Sequence, residues 1–190
     1  LEIIIKQLAR NGFNHITLMT GYLEYLIKTF FGDGNRFGLT IDYSSETEPL
    51  GTAGPLTNLK SIDEPFLLMN GDLLTTLNFK EFYNFHISNK SSISIFSHQK
   101  KVKIDLGILE TDQNNNFISY NEKPEYSFEV SSGIYILEPS VIGLIPKSKF
   151  DLPDLVRLVH AQGEYISIFN KPYEWLDMGN HDDYQIANEI

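Results

Sequence analysis

The 190-residue sequence contains no cysteine, so it forms no disulfide and offers no thiolate for catalysis or metal binding. That composition fits a cytoplasmic protein. An excess of positive charge is also missing: 15 Lys and Arg face 25 Asp and Glu, and the formal net charge is −10. This balance argues against nucleic acid or an anionic membrane as a general partner. A phosphorylated ligand would need local donors, a few Lys or Arg, or a divalent cation.

Long apolar runs are absent too. No stretch approaches the length of a membrane-spanning helix, and no signal peptide is visible. The helical pattern at residues 1–8 has neither an initiator Met nor an N-cap before it, which leads us to expect that the chain begins inside a longer protein. With 42% hydrophobic and 21% charged residues, 1–190 is expected to form one domain with a substantial core.

Helical and strand patterns alternate through the first half of the chain. Helices are predicted over residues 1–8, 22–31, 52–59, 78–89, 139–145, 152–160 and 182–190. Strands are predicted over residues 15–20, 39–43, 66–70, 92–97, 108–111, 117–120, 130–137, 165–169 and 174–177. The alternation implies an α/β fold: a three-layer, Rossmann-like, mainly parallel sheet with helices on both faces. The strand-rich second half predicts antiparallel additions.

Asp72 follows an apolar strand and a glycine, in the run Pro65-Phe66-Leu67-Leu68-Met69-Asn70-Gly71-Asp72. A continuous apolar run suits a strand covered on both faces, and Gly71 favours a turn and the close approach of a ligand. Open α/β sheets bind ligands at the carboxyl ends of their strands. A turn or helix-cap Asp is the alternative, and one isolated residue does not decide between them.

A second acid occupies a similar setting in Trp175-Leu176-Asp177-Met178-Gly179. If the sheet brings Asp72 and Asp177 together, they form the pair of carboxylates that Mg²⁺ uses alongside phosphate oxygens. The five His residues are dispersed without ligand spacing, which argues against a zinc site or a His-based triad.

Three further stretches carry small or charged residues where a ligand could bind. The Gly-rich segment 48–55 enters a predicted helix, where exposed backbone N–H groups suit a base or an anion, although glycine before a helix is also common in purely structural roles. In Glu122-Lys123-Pro124, the proline favours an extended Lys123, so that the two charged side chains point apart. An ordinary solvated turn is the alternative there. Ser131-Ser132-Gly133 begins a strand with small residues that leave room for a ligand.

Taken in order, these stretches resemble the sugar-phosphate nucleotidylyltransferases, which join an NTP to a sugar 1-phosphate and release pyrophosphate. The matching pieces run from Glu48-Pro49-Leu50-Gly51-Thr52-Ala53-Gly54 through Asn70-Gly71-Asp72, Glu122-Lys123-Pro124 and Gly133-Ile134-Tyr135 to Trp175-Leu176-Asp177-Met178-Gly179. The sequence looks most similar to mannose-1-phosphate guanylyltransferase-like proteins. The resemblance implies the fold of nucleotide-diphospho-sugar transferases, with GTP favoured and a mannose-like or heptose-like sugar 1-phosphate as the second substrate.

The resemblance also implies a role for each matched residue. Asp72 and Asp177 would hold the catalytic Mg²⁺, and Lys123 would bind the sugar phosphate as a third catalytic residue. The nucleotide would be lined by Gly51, Thr52, Gly54 and Gly71. The sugar would meet Gly107, Glu122 and Ser131, although the family often has Asn where Ser131 stands. A homo-oligomer and an N-terminal regulatory domain, such as the CBS-domain pair of some bacterial members, stay open.

One family feature does not precede Leu1: the first strand with its Gly-rich, Arg-bearing loop and Pro-Lys-Pro segment, which hold the triphosphate. We therefore expect an N-terminally incomplete domain with little transferase activity of its own. A ligand-sensing domain without catalysis on the same fold is the main alternative function. A glycosyltransferase is a weaker one, since Asn70-Gly71-Asp72 offers one acid where those enzymes carry Asp-x-Asp.

Overall fold

The alternation of helices and strands expected from the sequence is present in the computed structural model, which describes residues 1–46, 48–59 and 62–189. The helices are α1 (Glu2–Arg10), α2 (Glu24–Phe31), α3 (Phe79–Asn89), α4 (Leu152–Ala161) and α5 (His181–Glu189). The strands are β1 (His15–Thr20), β2 (Thr40–Ser45), β3 (Phe66–Met69), β4 (Leu73–Thr75), β5 (Ile93–Lys103), β6 (Ile108–Thr111), β7 (Phe117–Asn121), β8 (Glu125–Leu137), β9 (Ile166–Asn170) and β10 (Trp175–Asp177). Short 3₁₀ helices cover Asn35–Phe37, Gly54–Asn58 and Pro139–Leu144.

Most element boundaries agree with the sequence patterns to within a few residues, but β5 ends six residues later and β8 begins five residues earlier than predicted, because the two strands pair with each other as far as Lys103 and Glu125. Asn78 caps α3, and its side-chain oxygen accepts a hydrogen bond from the Glu81 amide at 3.0 Å. The predicted helix over 52–59 is instead a 3₁₀ turn, and β4 was missed because three residues are too few to show a period. The predicted last residue of the closing helix, Ile190, lies outside the described residues, as does Thr47 in the loop before Gly51.

The main sheet has the strand order β3-β8-β5-β9. Three of its strands run in one direction, while β8 runs against both of its neighbours. The parallel pair β1–β2 forms a separate sheet, and the antiparallel pairs β4–β10 and β6–β7 complete the fold. The α/β class with antiparallel additions is therefore confirmed, but the antiparallel strand β8 lies in the middle of the sheet and not only beside it.

Helices cover both faces of the main sheet. One apolar cluster contains Leu155 of α4 together with alternate residues of the strands, such as Leu68 and Ile95. The other packs α1 and α3 against the opposite face, with Phe82, Phe96 and Phe169 in close aromatic contact. Consecutive residues of β3 contribute to the two clusters in turn, which explains its uninterrupted apolar sequence. Among the described residues no helix is both long and apolar enough to span a membrane.

A buried chain of polar groups lies between α3 and the sheet. His86 is fully buried, and its Nδ1 is 2.8 Å from Ser94 Oγ, which in turn is 2.8 Å from Ser167 Oγ. The other ring nitrogen, Nε2, is 3.4 Å from Glu138 Oε1. Burial lowers the pKa of His86, and the hydrogen bond to Glu138 opposes that shift only in part. The structure thus favours the neutral imidazole.

Acidification is therefore expected to destabilise the fold through His86. Above an unfolded-state pKa of about 6.5, both states hold a neutral ring. As pH falls below it, the unfolded chain takes up the proton first, and stability is lost by at most about 1.4 kcal/mol per pH unit for each such histidine. His98, whose pKa burial also lowers, adds to the effect. The midpoints of urea unfolding at pH 7.5 and pH 5.5 measure this loss of stability.

The variant His86→Gln isolates this contribution, because it keeps a polar side chain but does not titrate. We expect it to be less stable than the wild type at pH 7.5 and to lose less stability between the two pH values. His160→Gln, at the exposed end of α4, is the matched control and should lose as much as the wild type. Equal losses in all three proteins would contradict the assignment.

Candidate active site

Asp72 and Asp177 are brought together by a strand pair. Asp72 stands between β3 and β4, and in the antiparallel pairing of β4 with β10 Leu73 lies opposite Asp177. The amide of Met178 donates a hydrogen bond to the carbonyl oxygen of Asp72 at 2.9 Å. Two acids far apart in the sequence thus occupy neighbouring positions on adjoining backbone segments.

Their carboxylates converge on Gly179. A Cβ placed on that glycine would lie 3.2 Å from Asp177 Oδ1 and 3.8 Å from Asp72 Oδ2, so both groups border one small space. The Gly179 amide donates to Asp177 Oδ1 at 2.9 Å, and the Asp177 amide donates to Asp183 Oδ2 at 3.0 Å. These bonds hold the Asp177 backbone and carboxylate in place beside Asp72.

Such a donor set fits a hard divalent cation. Mg²⁺ in phosphate-binding sites usually takes one or two protein carboxylates and completes its shell with phosphate oxygens and water. Across the described ranges, no group of three or more His, Cys, Asp or Glu side chains is arranged to hold a metal. The chain thus offers a two-carboxylate site suited to a metal–phosphate complex, and not a closed protein cage.

The turn before Asp72 packs against Gly133. The Asn70 amide donates to the Gly133 carbonyl at 3.2 Å, and a Cβ on Gly133 would lie 2.8 Å from Asn70 Nδ2. Glycine is required at position 133 for two reasons: its φ of 74° is left-handed, and a side chain there would clash with Asn70. Gly71 differs, since its φ is outside the left-handed region and a Cβ there would meet only Leu1 Cδ1 at 3.6 Å. The turn therefore does not require glycine at position 71, and the prediction that Gly71 is needed for the turn was wrong. The prediction that a ligand approaches closely at Gly71 stays a prediction.

The Gly-rich loop does not present free amides at its centre. The Thr52 amide donates to Asp151 Oδ1 at 2.9 Å, and the Ala53 and Gly54 amides donate to the Phe150 carbonyl at 2.9 and 3.0 Å. The prediction that these N–H groups are exposed for a ligand was wrong, because the segment before α4 already accepts their hydrogen bonds. Gly51, with a φ of 80°, is required by the backbone and by its contact with Asp151.

Two of the residues expected around the sugar lie in contact. A Cβ on Gly107 would be 2.9 Å from Glu122 Oε2, so the two belong to one corner at the base of the β6–β7 hairpin. Tyr120, which the sequence analysis missed, donates its hydroxyl to Glu122 Oε2 at 2.8 Å, and this bond raises the pKa of the phenol. Tyr120 lies on β7 and Glu122 follows the end of that strand, and their spacing of two residues was the available signal.

Lys123 adopts a left-handed backbone, with a φ of 45°, and not the extended conformation that Pro124 led us to predict. Lys123 sits in a bend after β7, where the Pro124 carbonyl accepts a hydrogen bond from Ile104 at 3.0 Å. That bond continues the antiparallel pairing of β5 with β8 by one residue beyond Lys103 and Glu125. The expectation that the Glu122 and Lys123 side chains point apart, which rested on an extended backbone, therefore loses its basis.

Trp175 links β8 to β10, the strand that carries Asp177. Its Nε1 donates to the Ser132 carbonyl at 2.7 Å, and its ring stacks on His98 with centroids 4.3 Å apart. Ser131, the neighbour of Ser132, places its Oγ 2.9 Å from the hydroxyl of Tyr135. A cavity of about 430 Å³ opens beside the stacked rings. No local sequence pattern indicated that Trp175 and His98 stack, because their contact joins β5 to β10.

Similarity to known proteins agrees with this arrangement. A uridylyltransferase of Synechocystis, "UTP--glucose-1-phosphate uridylyltransferase", is 30% identical over 205 residues, covering 97% of this chain and 53% of the relative. The "D-glycero-alpha-D-manno-heptose 1-phosphate guanylyltransferase" of Aneurinibacillus thermoaerophilus is 29% identical, covering 100% of this chain and 83% of the relative. The chain thus spans about half the length of the former.

A solved structure shows the same likeness in three dimensions. The crystal structure of HddC from Yersinia pseudotuberculosis superposes with a TM-score of 0.74 at 25% identity, covering 98% of this chain and 83% of that one. The family model described as nucleotidyl transferase matches residues 1–190. The match spans every element that carries the carboxylate pair, the Gly-rich loop and the β6–β7 hairpin, and the chain belongs to the nucleotidyl transferase family.

Proposed function

We propose that residues 1–190 form a nucleotidyltransferase domain that joins an NTP to a sugar 1-phosphate, releasing pyrophosphate. The observation that carries this proposal is the convergence of Asp72 and Asp177 on the space beside Gly179. Two carboxylates at one point suit a divalent cation bound together with phosphates. Asp72 follows β3 of the main sheet, and open α/β sheets bind ligands at the carboxyl ends of their strands, whereas Asp177 is the last residue of β10, which pairs with β4.

The reaction needs positioning and charge neutralisation more than a covalent nucleophile. An oxygen of the sugar phosphate attacks the α-phosphorus of the NTP in line, and pyrophosphate leaves. Mg²⁺, held by Asp72 and Asp177, would neutralise the phosphate charges when bound. Lys123 contributes a point charge toward the sugar phosphate, and Glu122, oriented by Tyr120, accepts hydrogen bonds from sugar hydroxyls.

The nucleotide side of the proposed site is formed by the Gly-rich loop and the turn before Asp72. The base is placed against the loop that contains Gly51, Thr52 and Gly54, where the Thr52 and Gly54 amides bond within the protein and do not serve as ligand donors, and the ribose is placed beside Gly71. On the sugar side, Gly107 and Glu122 share one corner, and Ser131 replaces a larger polar residue. We favour GTP and a mannose-like or heptose-like sugar, supported by the similarity to a heptose 1-phosphate guanylyltransferase along the whole chain.

A matrix of substrates tests the proposal. The full-length gene product, with Mg²⁺, is offered each of the four NTPs against mannose, heptose and glucose 1-phosphates, and pyrophosphate release is measured. We expect release with GTP and a manno-configured sugar. Pyrophosphate release only with UTP and glucose 1-phosphate would support nucleotidyl transfer to a sugar 1-phosphate but would overturn the choice of GTP and a manno-configured sugar.

The second candidate is a ligand-sensing domain without catalysis on the same fold. Thermal shifts measured in the same matrix discriminate between the two. A shift with an NTP but no pyrophosphate supports sensing, whereas no shift with any NTP overturns both functions.

A further inference from the structure

The Gly-rich loop is fastened to the segment that precedes α4. Besides the amides of Thr52, Ala53 and Gly54, which donate to Asp151 and Phe150, the Phe150 amide donates back to the Leu50 carbonyl at 2.8 Å. Four hydrogen bonds therefore join residues 50–54 to residues 150–151, two short segments that are far apart in the sequence. The shape of the loop depends on where the second segment lies.

Asp151 occupies the centre of this contact. Its Oδ1 accepts from the Thr52 amide at 2.9 Å and lies 3.3 Å from the Thr52 hydroxyl. A Cβ on Gly51 would lie only 2.6 Å from the same oxygen, so the carboxylate is packed directly under the loop. Asp151 occupies the N-cap position of α4, but its side chain makes no capping hydrogen bond with that helix.

Thr52 supplies the cap in its place. Its Oγ1 accepts a hydrogen bond from the Leu152 amide, the first residue of α4, at 2.8 Å. Thr52 thus bonds to Asp151 and to the helix start at once, through three contacts that require both partners in position. The helix itself is anchored by Leu152, Leu155 and Val159, which are buried in the apolar cluster that also contains Ala53 of the loop.

We infer that Asp151 is a positioning residue for nucleotide binding, acting through Thr52 on the Gly-rich loop. The inference rests on the proposed function, in which this loop lines the base. Asp151 does not touch the reacting atoms, and the carboxylate pair at Asp72 and Asp177 belongs to other strands. Loss of Asp151 should therefore weaken binding of the NTP without altering the chemical step or the sugar site.

The variant Asp151→Ala tests this in the full-length protein. It removes an acceptor that serves two donors of Thr52, and a hydrogen bond to a charged partner is worth enough to shift binding by about tenfold. We expect KM for the NTP to rise about tenfold, with kcat and KM for the sugar 1-phosphate within about twofold of wild type. A general loss of folding would lower kcat instead and would not single out one substrate.

Two further variants sharpen the test. Asp151→Asn keeps an oxygen that can accept both bonds, and we expect it to restore KM for the NTP to within about twofold of wild type. Asp154→Ala is the matched control: it removes a carboxylate from the same first turn of α4, where Asp154 pairs with Arg157 and not with the loop. It should leave both KM values unchanged.

Hydrogen exchange at the amides of residues 52–54 reports the contact without any turnover. Faster exchange in Asp151→Ala, with Asp151→Asn and Asp154→Ala like wild type, supports the inference. An unchanged KM for the NTP, equal increases in both KM values, or unchanged exchange in Asp151→Ala overturns it. A wild type that releases no pyrophosphate overturns the proposed function, and the exchange result then still decides whether Asp151 holds the loop.

Discussion

Replacing Asp72 by Asn should reduce turnover about 10³-fold and leave the fold unchanged. Neutralisation of phosphate charge by a bound metal is worth several kcal/mol, and each 1.4 kcal/mol or so corresponds to tenfold in rate. In the described part of the chain no hydrogen bond reaches the Asp72 carboxylate, so the amide removes charge without breaking an internal contact. The expected signature is a large fall in kcat with an unchanged melting temperature.

Asp177→Asn should behave in the same way. Its amide oxygen can still accept from Gly179, so the local backbone is retained while the charge is lost. The matched control is Asp182→Asn, an identical change of charge at an exposed position of α5, which should keep wild-type turnover. Steady-state pyrophosphate release with excess Mg²⁺ measures all three. If turnover falls by less than tenfold in both Asp72→Asn and Asp177→Asn, the two carboxylates do not have the catalytic role proposed for them.

The largest expected effect on stability follows from Phe82→Ala. Phe82 is fully buried on α3, with its ring centroid 5.1 Å from that of Phe169 and 6.4 Å from that of Phe96. Truncating a buried Phe costs roughly 3–5 kcal/mol through lost burial and the cavity left behind. For a chain of this size the melting temperature should fall by roughly 10 °C.

An exposed Phe provides the comparison. Phe117, on the β6–β7 hairpin, is 68% exposed, and Phe117→Ala should change the free energy of unfolding by no more than about 0.5 kcal/mol. Urea unfolding of both variants tests the difference. A cost below about 1 kcal/mol for Phe82→Ala would mean that the cluster repacks and does not depend on this ring. Because Leu73, beside Asp72, lies in the same cluster, the measurement also reports on the support of the site.

The open edges of β1 and β3 explain one pattern of exposure. β1 pairs with β2 alone and β3 with β8 alone among the described residues, and of the residues in β3 only Leu68 is fully buried. The apolar run of β3 predicted burial on both faces, which the two packed clusters confirm. The half-buried residues reflect the strand edge, a property of sheet order that no local pattern carries.

Several parts of the site follow from local sequence alone. The sequence predicts Asp72 and Asp177 as acids at the ends of apolar segments, and it predicts α3 and the two strands β6 and β7, because each of these features depends on residues a few positions apart. The family likewise follows from motifs that can be read in order along the chain. These features need no knowledge of which strands are neighbours.

Tertiary structure decided the rest, since the deciding contacts join distant segments. The pairing of β4 with β10 sets the two carboxylates side by side, although β4 is too short to show a period. The amides of the Gly-rich loop donate to the segment before α4, and the backbone of Lys123 is left-handed where the following proline predicts an extended one. The sequence by itself therefore determined which residues carry charge and which segments form strands, while long-range hydrogen bonds decided how far β5 and β8 extend, which charged groups meet and which backbone donors remain free.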